Sequence, residues 1–459
     1  MADTASESDA GARRDVLVER LFGATVGTWD VLAVYIGDRL GLYRILADGG
    51  PMSSGDLADA AGLSERYVRE WLEQQATSAI LEVDDPSADG GARRYTLPSG
   101  HDEALVDDTS LNCIAAIGQL VVACVKPIDS VLNAFRTGDG VPYADYGPDL
   151  HEGQARFTRP MFDSLLASEW LKAVPEVHER LLADPPARVA DVACGEGRST
   201  LAIARGYPKV RADGIDVDEA SISAARRHLA ASGVDDRVAF HLRDAADEEL
   251  AGNYDLVYIH EALHDMSYPV RVLSACRALL ADGGSVIVGD ERVPDEFNPP
   301  GDETERFYYG FSILHCLPVG MIGEDAAGTG TVMRAGTMRA YASEAGFSGF
   351  EVLALGPAHV AGLSWGGTVV QELYRHHREL VATLILIDTY AGWKGSLPAE
   401  EVHARVAGAR QMLAAPSEAR SSTPPFPGCS PATRRPSSSR CSRRSPPPSA
   451  PRASGHSCP

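Results

Sequence analysis

The chain has 459 residues, more than one ordinary domain holds, so two to four folded units are expected. Its formal net charge of -22 argues against a nucleic-acid partner. Eight cysteines (Cys113, Cys124, Cys194, Cys276, Cys316, Cys429, Cys441 and Cys458) form no Cys-x-x-Cys pair, a pattern that fits neither a disulfide framework nor a zinc site and suits a reducing cytoplasm. The acidic, polar N-terminus is no signal peptide. The most apolar run, Leu111 to Val125, is interrupted by Asn112 and Gln119 and reads as a buried helix, so no membrane contact is expected.

The first segment, to about Arg136, is predicted helical with one small hairpin. Ser53 caps a helix through Ala61, with Asp56 at its positive end, and Ser64 caps a second, Glu65 to Ala76. Ile80 to Val83 and Arg93 to Leu97 then bracket an Asp/Gly-rich loop. Helix, turn, helix and strand-loop-strand together resemble a winged-helix domain. DNA reading is disfavoured. The second helix sets Glu65, Glu70 and Glu73 against Arg66 and Arg69, and the wing carries Asp84, Asp85 and Asp89, whereas phosphate contact needs clustered cations.

Past an aromatic turn, Pro142 to Gly147, a buried strand from Arg188 to Cys194 runs into Cys194-Gly195-Glu196-Gly197-Arg198-Ser199 and then a helix. The next strand, Val210 to Val217, delivers Asp216, nineteen residues beyond Gly197, where a carboxylate accepts hydrogen bonds from both hydroxyls of a ribose. A nucleoside cofactor is the first expectation. A dinucleotide turn needs a third glycine where Ser199 stands, and Glu196 disfavours a pyrophosphate while tolerating a cation. The turn resembles the glycine-rich motif of class I methyltransferases, which bind S-adenosylmethionine. The order downstream agrees: strands Val238 to Leu242, Tyr254 to Ile259 and Gly283 to Val288, alternating with helices Ser199 to Arg205, Ala220 to Ala231 and Val270 to Leu280, as a doubly wound α/β sheet of Rossmann-like type requires. A sixth strand is expected over Phe350 to Leu355.

That resemblance implies cofactor contacts from Asp191, Gly195, Gly197, Asp216, Asp244, Ala245 and His260, with Tyr143 or Tyr146 leaning over the cofactor. Glu261-Ala262-Leu263-His264-Asp265-Met266 resembles the Leu-His-Asp-Trp signature of small-molecule O-methyltransferases, with Met266 in place of the tryptophan. It implies His264 as general base, and Asp265 either orients it or caps the following helix. Asp290 and Glu291, at the end of the fifth strand, orient the base, bind a polar acceptor group, or are solvated charges. Aromatics at helical spacing through Phe307 to Cys316 suggest a lid over an apolar acceptor, or a stripe packed on the sheet. His315 and Cys316 have no partners at ligand spacing, and no metal site is expected. The winged-helix part then serves dimer contact and covers the active site, giving a possible homodimer and a small-molecule acceptor as partners.

After Leu355 the chain changes. Gly362-Leu363-Ser364-Trp365-Gly366 follows a strand and resembles the nucleophile elbow of α/β-hydrolases, but the tail that should bring the histidine and acid is Ser, Pro and Arg-rich. Arg420 to Pro459 contains no acidic residue and is expected to be disordered. The expected division is 1–136 winged helix, 137–355 methyltransferase, 356–416 truncated hydrolase fragment and 417–459 disordered tail. Two other functions compete with methyl transfer: a nucleoside-sensing winged-helix regulator and a serine esterase.

Overall fold

In the computed structural model of the protein, residues 2–245, 252–353, 359–363 and 383–387 are described. Two compact units divide the chain, Met1–Leu355 and Gly356–Pro459. The first begins with one long helix, Ala2–Arg39, followed by helices Leu42–Gly49, Ser54–Ala61 and Glu65–Thr77. Ser53 closes a reciprocal capping box with Asp56, satisfying two of the helix's free N–H groups. Ser64 occupies the cap position of the next helix, yet its side chain makes no capping bond; its carbonyl takes the first helical N–H groups instead. Strands β1 (Glu82–Val83) and β2 (Tyr95–Thr96) pair antiparallel as a short wing. Leu42, Leu46, Leu57, Leu72 and Trp71 bury themselves between these elements, and each fully buried leucine contributes about 1.5–3 kcal/mol. The Trp71 indole N–H donates to the Ala33 carbonyl at 2.9 Å and fastens the small core to the long helix.

The apolar run condenses into a helix at Ala115–Val125, largely buried as expected. Among the described residues no single helix is long and apolar enough to cross a membrane. Arg156, on the helix Pro148–Met161, ties this layer to the first. Its guanidinium grips Asp38 through two bonds of 2.7 and 2.8 Å and reaches Gln119 at 2.8 Å. A planar fork facing a carboxylate is the strongest geometry such a pair offers.

The centre is a five-stranded parallel sheet: β3 (Arg188–Val192), β4 (Arg211–Asp216), β5 (Val238–Leu242), β6 (Tyr254–His260) and β7 (Leu280–Gly289), in spatial order β5-β4-β3-β6-β7. Successive side chains point to opposite faces, so Val189, Leu256 and Tyr258 join one core and Ala190, Val192, Val257 and Ile259 the other. A sheet covered on both faces calls for continuous apolar strands, which is what the sequence supplies. The order reverses between β3 and β6, and the strand ends there open the crevice in which such sheets bind ligands.

The expected sixth strand does not form over its described part: Phe350 to Leu353 have no regular structure, and the Phe350 ring lies under the Arg339 guanidinium at 4.7 Å. In the second unit β8 (His359–Leu363) and β9 (Thr383–Ile387) pair in parallel as a two-stranded sheet. Ser364 and the tail lie outside the described residues.

Candidate active site

The turn after β3 is built by backbone conformation. Ala193, Gly195 and Gly197 all take positive φ, at 56°, 52° and 77°. The Gly197 N–H bonds back to the Cys194 carbonyl at 2.8 Å. The two glycines are needed for different reasons. A Cβ on Gly197 would fall 2.4 Å from the Phe240 ring, so that glycine lets the helix Arg198–Gly206 pack on the sheet. A Cβ on Gly195 would meet nothing within 4 Å, so its bare backbone faces open space.

Asp216 ends β4 beside that space. One carboxylate oxygen accepts the Gly195 N–H at 2.8 Å and the other accepts the Asp218 N–H at 2.8 Å. Burial pushes its carboxyl upward from the usual range, opposed by these backbone donors. Asp191, 1% exposed, does not face the crevice with a free carboxylate. One of its oxygens accepts both the Ser199 and Thr200 hydroxyls, at 2.6 and 2.5 Å, clamping β3 to the next helix. Burial raises its carboxyl to about 6. Asp244 follows the end of β5 on the surface, and Ala245 beside it is buried in the core. His260, ending β6, is walled by aromatics: Trp170 stacks on it at 5.4 Å, Phe162 stands edge-on at 4.8 Å, and the Tyr258 hydroxyl lies 2.9 Å from its Nδ1. It is a packed histidine rather than one open to a reacting proton.

His264 is the polar centre. The chain turns sharply after β6, with Glu261 at φ 47°, and Leu263–Asp265 form one 3-10 turn that carries the imidazole inward to 2% exposure. Its Nδ1 lies 2.9 Å from an Asp290 carboxylate oxygen and 3.8 Å from Glu291. Its Nε2 lies 3.2 Å from Asp265. A carboxylate only accepts, so Nδ1 carries a hydrogen toward Asp290, and Nε2, facing Asp265, is the ring atom that gains and loses the second proton. Burial alone would push this imidazole down, but the carboxylates of Asp265 and Asp290 hold it well above its ordinary value. Glu291 is also pushed upward, by burial and by neighbouring Glu261.

Aromatic side chains complete the surround. Tyr143 opens a 3-10 turn, Tyr143–Tyr146, and its ring lies 4.7 Å from the His151 ring and 5.9 Å from the His315 ring. Tyr146 is fully buried and donates to the Leu314 carbonyl at 2.8 Å, which makes it a fastener. The expected lid is a helix, Glu303–Phe311, that loosens into π geometry over Ser312–Cys316, so Phe307 is left exposed while His315 and Cys316 turn inward. The added residue per turn accounts for that rotation. The structure therefore brings Cys316 into reach of His264 and Asp265, a grouping that sequence spacing could not reveal because fifty residues intervene.

Residues 183–325 match the family model described as a methyltransferase domain, and residues 30–106 match the Rv2258c-like winged HTH domain. The chain carries a methyltransferase domain. Among solved structures, the human N-acetylserotonin methyltransferase bound to S-adenosylmethionine superimposes with a TM-score of 0.55 at 16% identity, covering 73% of this chain and 93% of that one. The mitomycin 7-O-methyltransferase MmcR gives a TM-score of 0.54 at 19% identity over 73% and 93%. At such identities the likeness concerns the fold. The ubiquinone biosynthesis O-methyltransferase of Nitrosococcus oceani is 35% identical over 99 residues, which are 22% of this chain and 41% of that relative. The chain thus spans less than half the length of that relative.

Asp191 gives this domain a measurable pH signature. Its folded value of about 6 lies above the ~3.9 of an unfolded aspartate, so between these the folded state binds more protons. Stability from this group therefore falls as pH rises from about 4 to 6, by about 3 kcal/mol, and stays lower above that. In Asp191→Asn the amide oxygen still accepts both hydroxyls and the slope disappears. Urea unfolding of both proteins at pH 4 and pH 7 checks this: the variant gains on the parent with rising pH, whereas parallel behaviour would contradict the assignment.

Proposed function

We propose that the protein transfers a methyl group from S-adenosylmethionine to a hydroxyl of a small-molecule acceptor. The observation that carries this is the placement of a buried, carboxylate-backed His264 at the same strand-end crevice as Asp216 and the open face of Gly195. The unfilled space over Gly195 suits a ligand pressed against backbone, and the Asp216 carboxylate beside it suits a ribose diol. Gly195, Gly197 and Asp216 hold the cofactor in this reading. Asp191 shapes their turn through Ser199 and Thr200, Asp244 and Ala245 border the base, and His260 backs the pocket within its aromatic wall. When bound, the cofactor supplies an electrophilic methyl on a sulfonium, so the protein's task is alignment and exclusion of water.

In its neutral form His264 takes the acceptor's proton on Nε2, and Asp290 fixes that tautomer and stabilises the imidazolium that results. Asp265 sits on the reacting side of the ring and orients the acceptor hydroxyl. Tyr143 and the Glu303–Phe311 lid shape the apolar part of the acceptor site. General base catalysis is worth about 10²–10⁴-fold. His264→Ala should lose that much turnover while binding S-adenosylmethionine unchanged; full activity in the variant would remove histidine from the mechanism.

The division into 1–136, 137–355, 356–416 and 417–459 is kept as our reading, with 356–416 a truncated hydrolase fragment that supplies no activity. Nucleic acid is not the partner. On the would-be recognition helix Arg66 pairs with Glu70 and Arg69 with Glu65, leaving little charge for phosphates. The free thiols among the described cysteines suit the cytoplasm. A homodimer forms through the long first helix, where Val16, Val18, Phe22 and Trp29 stand more than half exposed. Light scattering should report twice the 48.8 kDa of one chain, with Phe22→Asp shifting it toward one; an unaltered mass in the variant would place the interface elsewhere.

A further inference from the structure

Three ligand-bearing atoms converge on the reacting face of His264. Its Nε2, an Asp265 carboxylate oxygen and the Cys316 sulfur all lie within 4.8 Å of one another. Nε2 and the nearer Asp265 oxygen are 3.2 Å apart, yet that oxygen, shut off from solvent, has no hydrogen-bond partner. The Asp265 carboxylate favours a positive charge on that side of the ring, which a proton or a metal ion can supply. Cys316 is 1% exposed and Thr331 beside it is equally buried. On the far side of the ring Nδ1 is already bonded to Asp290 at 2.9 Å. That is the carboxylate-histidine backing by which proteins fix an imidazole for a metal on its other nitrogen.

We propose that His264, Asp265 and Cys316 form a three-ligand site for a divalent transition metal of the zinc type. One nitrogen, one oxygen and one sulfur match that ion's preferences, and three protein ligands leave a fourth position open toward the acceptor side. Tetrahedral legs of about 2.0–2.3 Å set ligands about 3.3–3.6 Å apart. The nitrogen-oxygen separation of 3.2 Å is close to this, and the sulfur lies within 4.8 Å of both. A second grouping, His264 with Asp290 and Glu291, shares the histidine. It would have to break the Nδ1 bond to Asp290, so the Cys316 side is the better site. Binding replaces the Cys316 thiol proton, which leaves to solvent. It also occupies the lone pair that removes the acceptor's proton. The ion therefore acts as a reversible inhibitor of methyl transfer, a consequence that rests on the proposed function; the binding itself does not.

Cobalt(II) is the probe, titrated into the full-length, chelator-stripped protein without methyl donor. One equivalent should bind with a thiolate-to-cobalt charge-transfer band in the near ultraviolet. The band should vanish in Cys316→Ser, weaken at least tenfold in Asp265→Asn, and persist in Cys124→Ser. Asp290→Asn, which leaves all three ligands in place, should weaken binding about 10–100-fold. X-ray absorption of the zinc-loaded parent protein should find one sulfur at about 2.3 Å, independent of whether any variant folds. No charge-transfer band in the parent, no sulfur in the zinc shell, or a band kept in Cys316→Ser would each overturn the site. Zinc binding without loss of methyl transfer would leave the site standing and remove His264 as the base.

Discussion

A single carboxylate organises the crevice. Asp216 spans from the end of β4 to the Gly195 N–H at the end of β3, and its second oxygen holds the Asp218 N–H that opens the next helix. Both contacts are charge-assisted bonds to backbone donors, in a place where water is largely excluded. They fix the glycine turn in its positive-φ conformation and keep the carboxylate pointed at the space over Gly195. Replace that anion, and the turn loses both backbone bonds that hold it.

Around this anchor the chain divides its labour between faces of one sheet. Asp191 clamps the turn from below, through two hydroxyls, at the cost of a buried carboxyl whose value is driven upward. His264 works from the neighbouring strand end, backed by Asp290 and faced by Asp265. Aromatic rings of Tyr143 and Phe311 gather about His315. The N-terminal helices are tied to the helix Pro148–Met161 through the paired Arg156 and Asp38.

Strand and helix positions in the centre were legible because buried parallel strands are runs of apolar residues, and their ends carry glycines or acids. The strand-end positions of Gly195, Asp216 and His264 were legible for the same reason. The role of Asp191 was not, because its partners Ser199 and Thr200 lie on the next helix, and the direction of its side chain depends on packing. Ser64 stands at the cap position as expected, but its hydroxyl makes no capping bond there. The sixth strand was expected from the methyltransferase resemblance, but Phe350 is taken up by Arg339. Cys316 was read as inert because its companions are fifty residues away; only the fold and the π turn bring them together.

The claim beneath this account is that S-adenosylmethionine binds at the ends of β3 and β4. Calorimetric titration of the full-length protein with that compound, beside Asp216→Ala, tests it most directly. The account predicts one site per chain in the parent protein and affinity at least tenfold weaker in the variant, about 1.4 kcal/mol or more. No heat and no thermal shift in the parent, or equal affinity in the two proteins, would contradict it.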